Sequence, residues 1–150
     1  MMQKYSSLVG RILIVLIFLI SGIGKITDPA SAKMYMSSQG MPLVTLFLIG
    51  AIVVEIAGAI AVILGYKARL SAVIMFLYMI PVTLIFHNKL SDQIQYIMFL
   101  KNIAIMGGLL MIAAFGPGPM SLDARLDKRK KAPCRRWTQE TYLSAVFQEG

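Results

Sequence analysis

The sequence predicts an all-α integral membrane protein, a four-helix transmembrane bundle with both termini on the cytoplasmic side. Three observations carry this. Hydrophobic residues make up 57% of the 150 and the mean hydropathy is +0.72, well above the ~45–50% apolar usage of soluble domains. Four apolar runs, at about 8–26, 43–64, 70–86 and 94–115, each approach the ~20 residues that take a helix across a ~30 Å hydrocarbon core. They lack period-two alternation, which excludes a barrel, and backbone groups in lipid then find partners only within helices.

The first run is read as a retained helix. Lys4 precedes it and "ASA" at 30–32 has the pattern of a cleavage site, but that site lies beyond Lys25 and Asp28, too far past the apolar core for a signal peptide. The second run, 43–64, and the fourth, 94–115, are long enough to span without help. The third, 70–86, is the shortest, and Pro81 within it removes a helix hydrogen bond to Leu77 and predicts a kink. The connections are too short for a soluble domain. One membrane domain therefore covers 1–118, followed by a basic cytoplasmic tail, 119–150.

Orientation follows from Lys and Arg placement, because segments rich in these residues stay on the cytoplasmic side. Lys4, Arg11, Lys67, Arg69 and the tail's Arg125, Lys128, Arg129, Lys130, Lys131, Arg135 and Arg136 fall on one side of four spans, against Lys25, Lys33 and Lys89 on the other. The formal charge of +8 is mostly this asymmetry. The basic tail suits anionic lipid at the membrane surface, and nucleic-acid binding is the weaker use of it. Trp137 beside Arg135 and Arg136 suits a headgroup interface, and Tyr142, Leu143, Val146 and Phe147 would share one face of a short surface helix.

Cys134 is the single cysteine and His87 the single histidine, so the chain holds neither an intramolecular disulfide nor a dithiol pair. The carboxylates are scattered rather than set at ligand spacing, and no metal site is expected. The chain is not expected to be catalytic by itself, nor to bind a cofactor covalently.

The informative residues are polar ones inside the spans. In "GRILIVLIFLISGIGK", Arg11, Val15, Phe18, Gly22 and Lys25 alternate four and three apart and form one stripe, basic at both ends. Ala51, Glu55, Gly58 and Val62 make a similar stripe in the second run, with Ala57, Ala61 and Gly65 as another small-residue row for close helix packing. At 1.5 Å per residue Glu55 lies ~18 Å from the outer end of its helix, near the midplane, and Lys101 ~10 Å from the outer end of the fourth. An unpaired charge there costs at least ~2.5–3.5 kcal/mol, so Glu55 is expected to be protonated or to pair with Lys101 or Arg11, Lys101 being the favoured partner. Gln95 and Asn102, seven apart, would add an amide ladder beside Lys101. Arg11 and Lys25, near helix ends, could instead snorkel, and His87 lies at the outer mouth. Two readings of the core stand. It stitches helices together, at ~0.6 kcal/mol per polar contact, or it forms a site.

The order of motifs, "GRILIVLIFLISGIGKITDP", "QGMPL", "EIAGAIAVILGYKARLSA", "IFH" and "FLKNIAIMGGLLMIAAFGPGPMSLDARL", resembles the DoxX family over about residues 10–126. Arg11, Lys25, Glu55, His87, Lys101 and Asn102 fall on matching positions. The resemblance implies a small four-helix, multi-pass protein of the bacterial inner membrane, in a family named from the small subunit of an archaeal thiosulfate:quinone oxidoreductase, with bacterial members linked to redox-defence complexes. It implies no settled catalytic residue. The leading expectation is an accessory subunit of a quinone-linked oxidoreductase or redox-defence complex, with a redox partner protein and with a quinone headgroup against Glu55, Lys101, Asn102, Arg11, Gln95, Lys25 and His87. The alternatives are a small-solute or proton-coupled carrier and a non-catalytic assembly factor. The oligomeric state stays open, a homo-oligomer included.

Overall fold

The computed structural model describes residues 2–87 and 91–127; Cys134 and the surface helix predicted around Tyr142 to Phe147 lie outside them. The described residues include five principal helices, α1 (Met2–Thr27), α2 (Pro29–Ser38), α3 (Val44–Leu64), α4 (Ala68–Phe86) and α5 (Gln93–Phe115), and residues 122–127 are also helical. Four of them, α1, α3, α4 and α5, are long and apolar enough to span a membrane, as the four runs predict. The short α2 was not expected. Its Asp28 accepts a hydrogen bond from the Ser31 amide at 3.0 Å and Pro29 opens its first turn, a strong start signal on a segment without an apolar run.

α1 packs along α3, and α4 along both α3 and α5. Small residues set the spacing at two predicted positions: a Cβ built on Gly22 would lie 2.7 Å from Ile56 and one on Gly58 2.8 Å from Met75. Gly108, on neither predicted stripe, does the same, its built Cβ lying 2.8 Å from Ile14. The core joins Val15, Phe18, Ala59, Val62, Ala72, Met75, Met79 and Leu109, all buried. Both stripes face it: Arg11, Val15 and Phe18 on α1, and Ala51, Glu55 and Val62 on α3. The Ala57 row turns inward only toward its end: Ala57 is exposed, Ala61 half-buried and Gly65 buried. Outward positions such as Leu13, Ile20, Leu46 and Leu84 are exposed and apolar, as lipid-facing positions are. α4 runs on through Pro81 to Phe86.

The end of the bundle opposite α2 is closed by polar groups. Gly65, at φ +68°, ends α3, with the Tyr66 amide donating to Ala61 and the Gly65 amide to Val62, a Schellman arrangement. The segment after α5 folds back onto this turn. Asp123 caps α4 by accepting from the Lys67 and Ala68 amides at 2.8 and 3.0 Å, and its own amide donates to Gly65. Tertiary contacts of the bundle therefore continue past residue 118.

Candidate functional site

Glu55 is 4% exposed, and its burial is compensated by two neighbours. Lys25 Nζ lies 2.8 Å from each carboxylate oxygen, and the Tyr78 hydroxyl donates to Oε1 at 2.7 Å. Lys25 also donates to Ser21 Oγ, one turn back, at 2.6 Å. The cluster joins α1, α3 and α4.

The expected partners of Glu55 are thus corrected. Lys101 donates to the Met98 thioether at 3.2 Å and makes no ion pair with Glu55. Side-chain direction explains this. A helical side chain leans toward its own N-terminus. α1 and α3 run antiparallel, so Lys25 leans inward and Glu55 leans toward the α2 end, and the two converge. On α5, parallel to α3, Lys101 leans the same way as Glu55 and reaches back to Met98. Gly22 brings α1 against α3, with its built Cβ 3.4 Å from Glu55 Cβ, which delivers Lys25 one turn later.

Arg11 is also not a partner of Glu55. It is 2% exposed and donates to Val62 at 3.1 Å, Ile63 at 3.2 Å and Met120 at 2.5 Å, tying the last carbonyls of α3 to the segment after α5. Its charge sits where a helix C-terminus favours a cation. The amide ladder is absent as well. Gln95 Oε1 lies 2.8 Å from His87 Nδ1, whereas Asn102, 5% exposed, donates to Thr83 Oγ1 at 3.1 Å. Tyr78, Ser21 and Thr83 were missed in the sequence. A tyrosine in an apolar span, whose hydroxyl needs a partner, was the available signal for Tyr78.

A cavity of about 640 Å³ opens between α1, α2, α3 and α4. Its walls are largely apolar or aromatic, including Phe47, Ile85 and Phe86, and Lys25, Glu55 and Tyr78 line it as a polar group. Tyr35 of α2 stacks on Phe86 of α4 at 5.4 Å between ring centres, at the α2 end. A smaller chamber of about 120 Å³ carries Lys101 and Asn102. Both spaces are lined by Ser21, Glu55, Tyr78, Val82 and His87, which form the partition. Of the predicted residues, Lys25, Glu55, Lys101, Asn102 and His87 therefore border one continuous polar region, while Arg11 stands at the far end and Gln95 acts through His87.

Comparison with known proteins places this arrangement. Residues 6–88 match the family described as DoxX. The inner membrane protein YqjF of Escherichia coli K12 is 35% identical over 128 residues, covering 85% of this chain and 97% of the relative. The inner membrane protein YphA of the same organism is 37% identical over 123 residues, covering 79% and 88%. A Surfeit locus protein 4 homolog of Drosophila melanogaster is 34% identical over 89 residues, 51% of this chain and 32% of that protein. No solved structure matches. With four apolar spanning helices and this similarity to inner membrane proteins over most of its length, the chain belongs to the DoxX family and is a multi-pass inner-membrane protein.

Proposed function

We propose that the protein is a non-catalytic membrane subunit that holds the head of an amphipathic, membrane-borne molecule, and that a quinone serving a partner oxidoreductase is that molecule. The observation that supports this reading is the cavity of about 640 Å³ that meets the Lys25, Glu55 and Tyr78 cluster. Its size falls in the ~300–1,000 Å³ range of small-molecule sites, and a mostly apolar lining with a few convergent polar groups is the usual composition of one. Phe47, Phe86 and Tyr35 suit a substituted aromatic ring, so the residues present fit a quinone head. A quinone bound there would supply the electron-carrying chemistry. This chain's own part is to hold and orient the head and to keep water away. The end of the bundle opposite α2, with Arg11, Lys67 and Arg69, faces the cytoplasm in this reading, in keeping with its Lys and Arg content.

Copurification from native membranes tests the proposal. Extraction of the purified protein should yield a quinone in near-stoichiometric amount together with a redox partner, and Glu55→Gln should lose the quinone. A protein that comes through free of any isoprenoid or aromatic lipid would overturn it.

A second reading, a proton-coupled carrier of a small solute, is favoured by one observation: two spaces meet across the Glu55 and Tyr78 partition. Solute flux into liposomes that depends on a pH gradient and is lost in Glu55→Gln would support it.

A further inference from the structure

The hydrogen-bonding capacity left over at the polar partition specifies more than an amphipathic ligand. Lys25 has three N–H donors, and Ser21 Oγ, Glu55 Oε1 and Glu55 Oε2 take all three. The Tyr78 proton goes to Glu55. Gln95 Oε1 can only accept, so His87 donates from Nδ1, and in the neutral imidazole the other ring nitrogen is an acceptor. What remains is mostly lone pairs: one acceptor site on the Glu55 carboxylate, those of the Tyr78 oxygen, and the second nitrogen of His87. Against these, Ser21 keeps one hydroxyl proton. The spare ammonium protons of Lys101 line the smaller chamber and not the cavity.

Resting on the proposal that this cavity holds an amphipathic head, we propose that it selects a head that donates a hydrogen bond, a neutral phenolic or alcoholic hydroxyl, over one that can only accept, such as a carbonyl or ether. A hydroxyl satisfies the partition in both directions. It gives its proton to Tyr78 or Glu55 and accepts from Ser21. At the partition a carbonyl has only the Ser21 proton to use, since the other hydroxyls that line the cavity, those of Ser31 and Tyr35, belong to α2; the acceptors of the partition are then left unpaired, which is costly in a largely apolar cavity. A cation is disfavoured because the Glu55 charge is already balanced by Lys25 at 2.8 Å. For a quinone-type ligand the same inventory favours the reduced, dihydroxy form.

Three probes with one nonyl chain test this on the purified full-length protein in detergent micelles: 4-nonylphenol, its methyl ether, and nonylammonium. Dissociation constants are read by equilibrium competition and referred to the concentration within the micelles. The phenol should bind at least about 10-fold more tightly than the ether, the effect expected of one buried polar group left unpaired, and nonylammonium should do no better than the ether. Ether binding equal to or tighter than phenol binding, or nonylammonium binding tighter than either, overturns the donor rule and leaves the cavity reading standing. Saturable binding by none of the three overturns the cavity reading and the donor rule together.

Discussion

Lys25 and Glu55, thirty positions apart, meet one turn beyond Gly22, where α1 lies tightly against α3, with the ammonium nitrogen 2.8 Å from both carboxylate oxygens. Removing either partner leaves an uncompensated charge beside a cavity whose walls are largely apolar. Lys25→Met and Glu55→Gln should each lower stability by about 2–4 kcal/mol, the double change should be milder than the sum, and Lys101→Met should cost under about 1 kcal/mol. Melting in a mild detergent reads all four. Coupling between Lys101 and Glu55, with none between Lys25 and Glu55, would falsify the assignment.

Gly22 allows that approach. Gly22→Val should push α1 from Ile56 and stretch the ion pair, with a loss of about 1–3 kcal/mol, because the new side chain meets packed atoms. Gly24, one residue beyond Ile23 and with nothing within 4 Å of a built Cβ, is the control: Gly24→Ala should be neutral or slightly stabilising. Equal losses for the two variants would show that backbone flexibility, not contact, matters at Gly22.

Asp123→Ala should remove the cap of α4 and cost about 1–2 kcal/mol, with faster amide exchange at Lys67 and Ala68 and no change near Glu55. Exchange that speeds up throughout the bundle would instead make the cap part of the global fold.

The α2 start is pH-dependent. The Ser31 hydrogen bonds hold the Asp28 carboxyl below its ordinary value of 3.8. A depressed folded-state value means that the capping contribution is complete above that value and is lost as pH falls through the lower, folded one. Protection of the Ser31 amide, taken relative to its intrinsic exchange rate, should therefore fall below about pH 4, and Asp28→Asn should abolish that pH dependence. An unchanged profile in that variant would assign the transition to another group.

How far the sequence could be read follows from what each signal encodes. The two stripes were legible because 3.6-residue spacing fixes which positions share a face, and Arg11, Val15, Phe18, Glu55 and Val62 are all buried as that spacing requires. The pairing of charges was not legible from depth alone. Depth places Cα atoms along the membrane normal, whereas contact depends on which way each side chain leans and on which helices adjoin. Lys101 and Arg11 were plausible by depth, but Lys25 is on the helix that Gly22 holds against α3. α2 lacks an apolar run, and its mark in the sequence is Asp28 before Pro29, a helix start that composition does not weaken.

The clasp at Asp123 bears on the order in which the protein is made. The amides it caps belong to Lys67 and Ala68, and it follows Lys67 by 56 positions. At ~5–20 residues per second, roughly 3 to 11 s separate synthesis of the α3–α4 turn from synthesis of its cap, with the rest of α4 and the whole of α5 made in between. The hairpin must therefore enter the membrane with the first turn of α4 open. Its closure records that α5 has arrived, so a ribosome stalled or a chain cut before Asp123 leaves a bundle with every span present and one end unlocked.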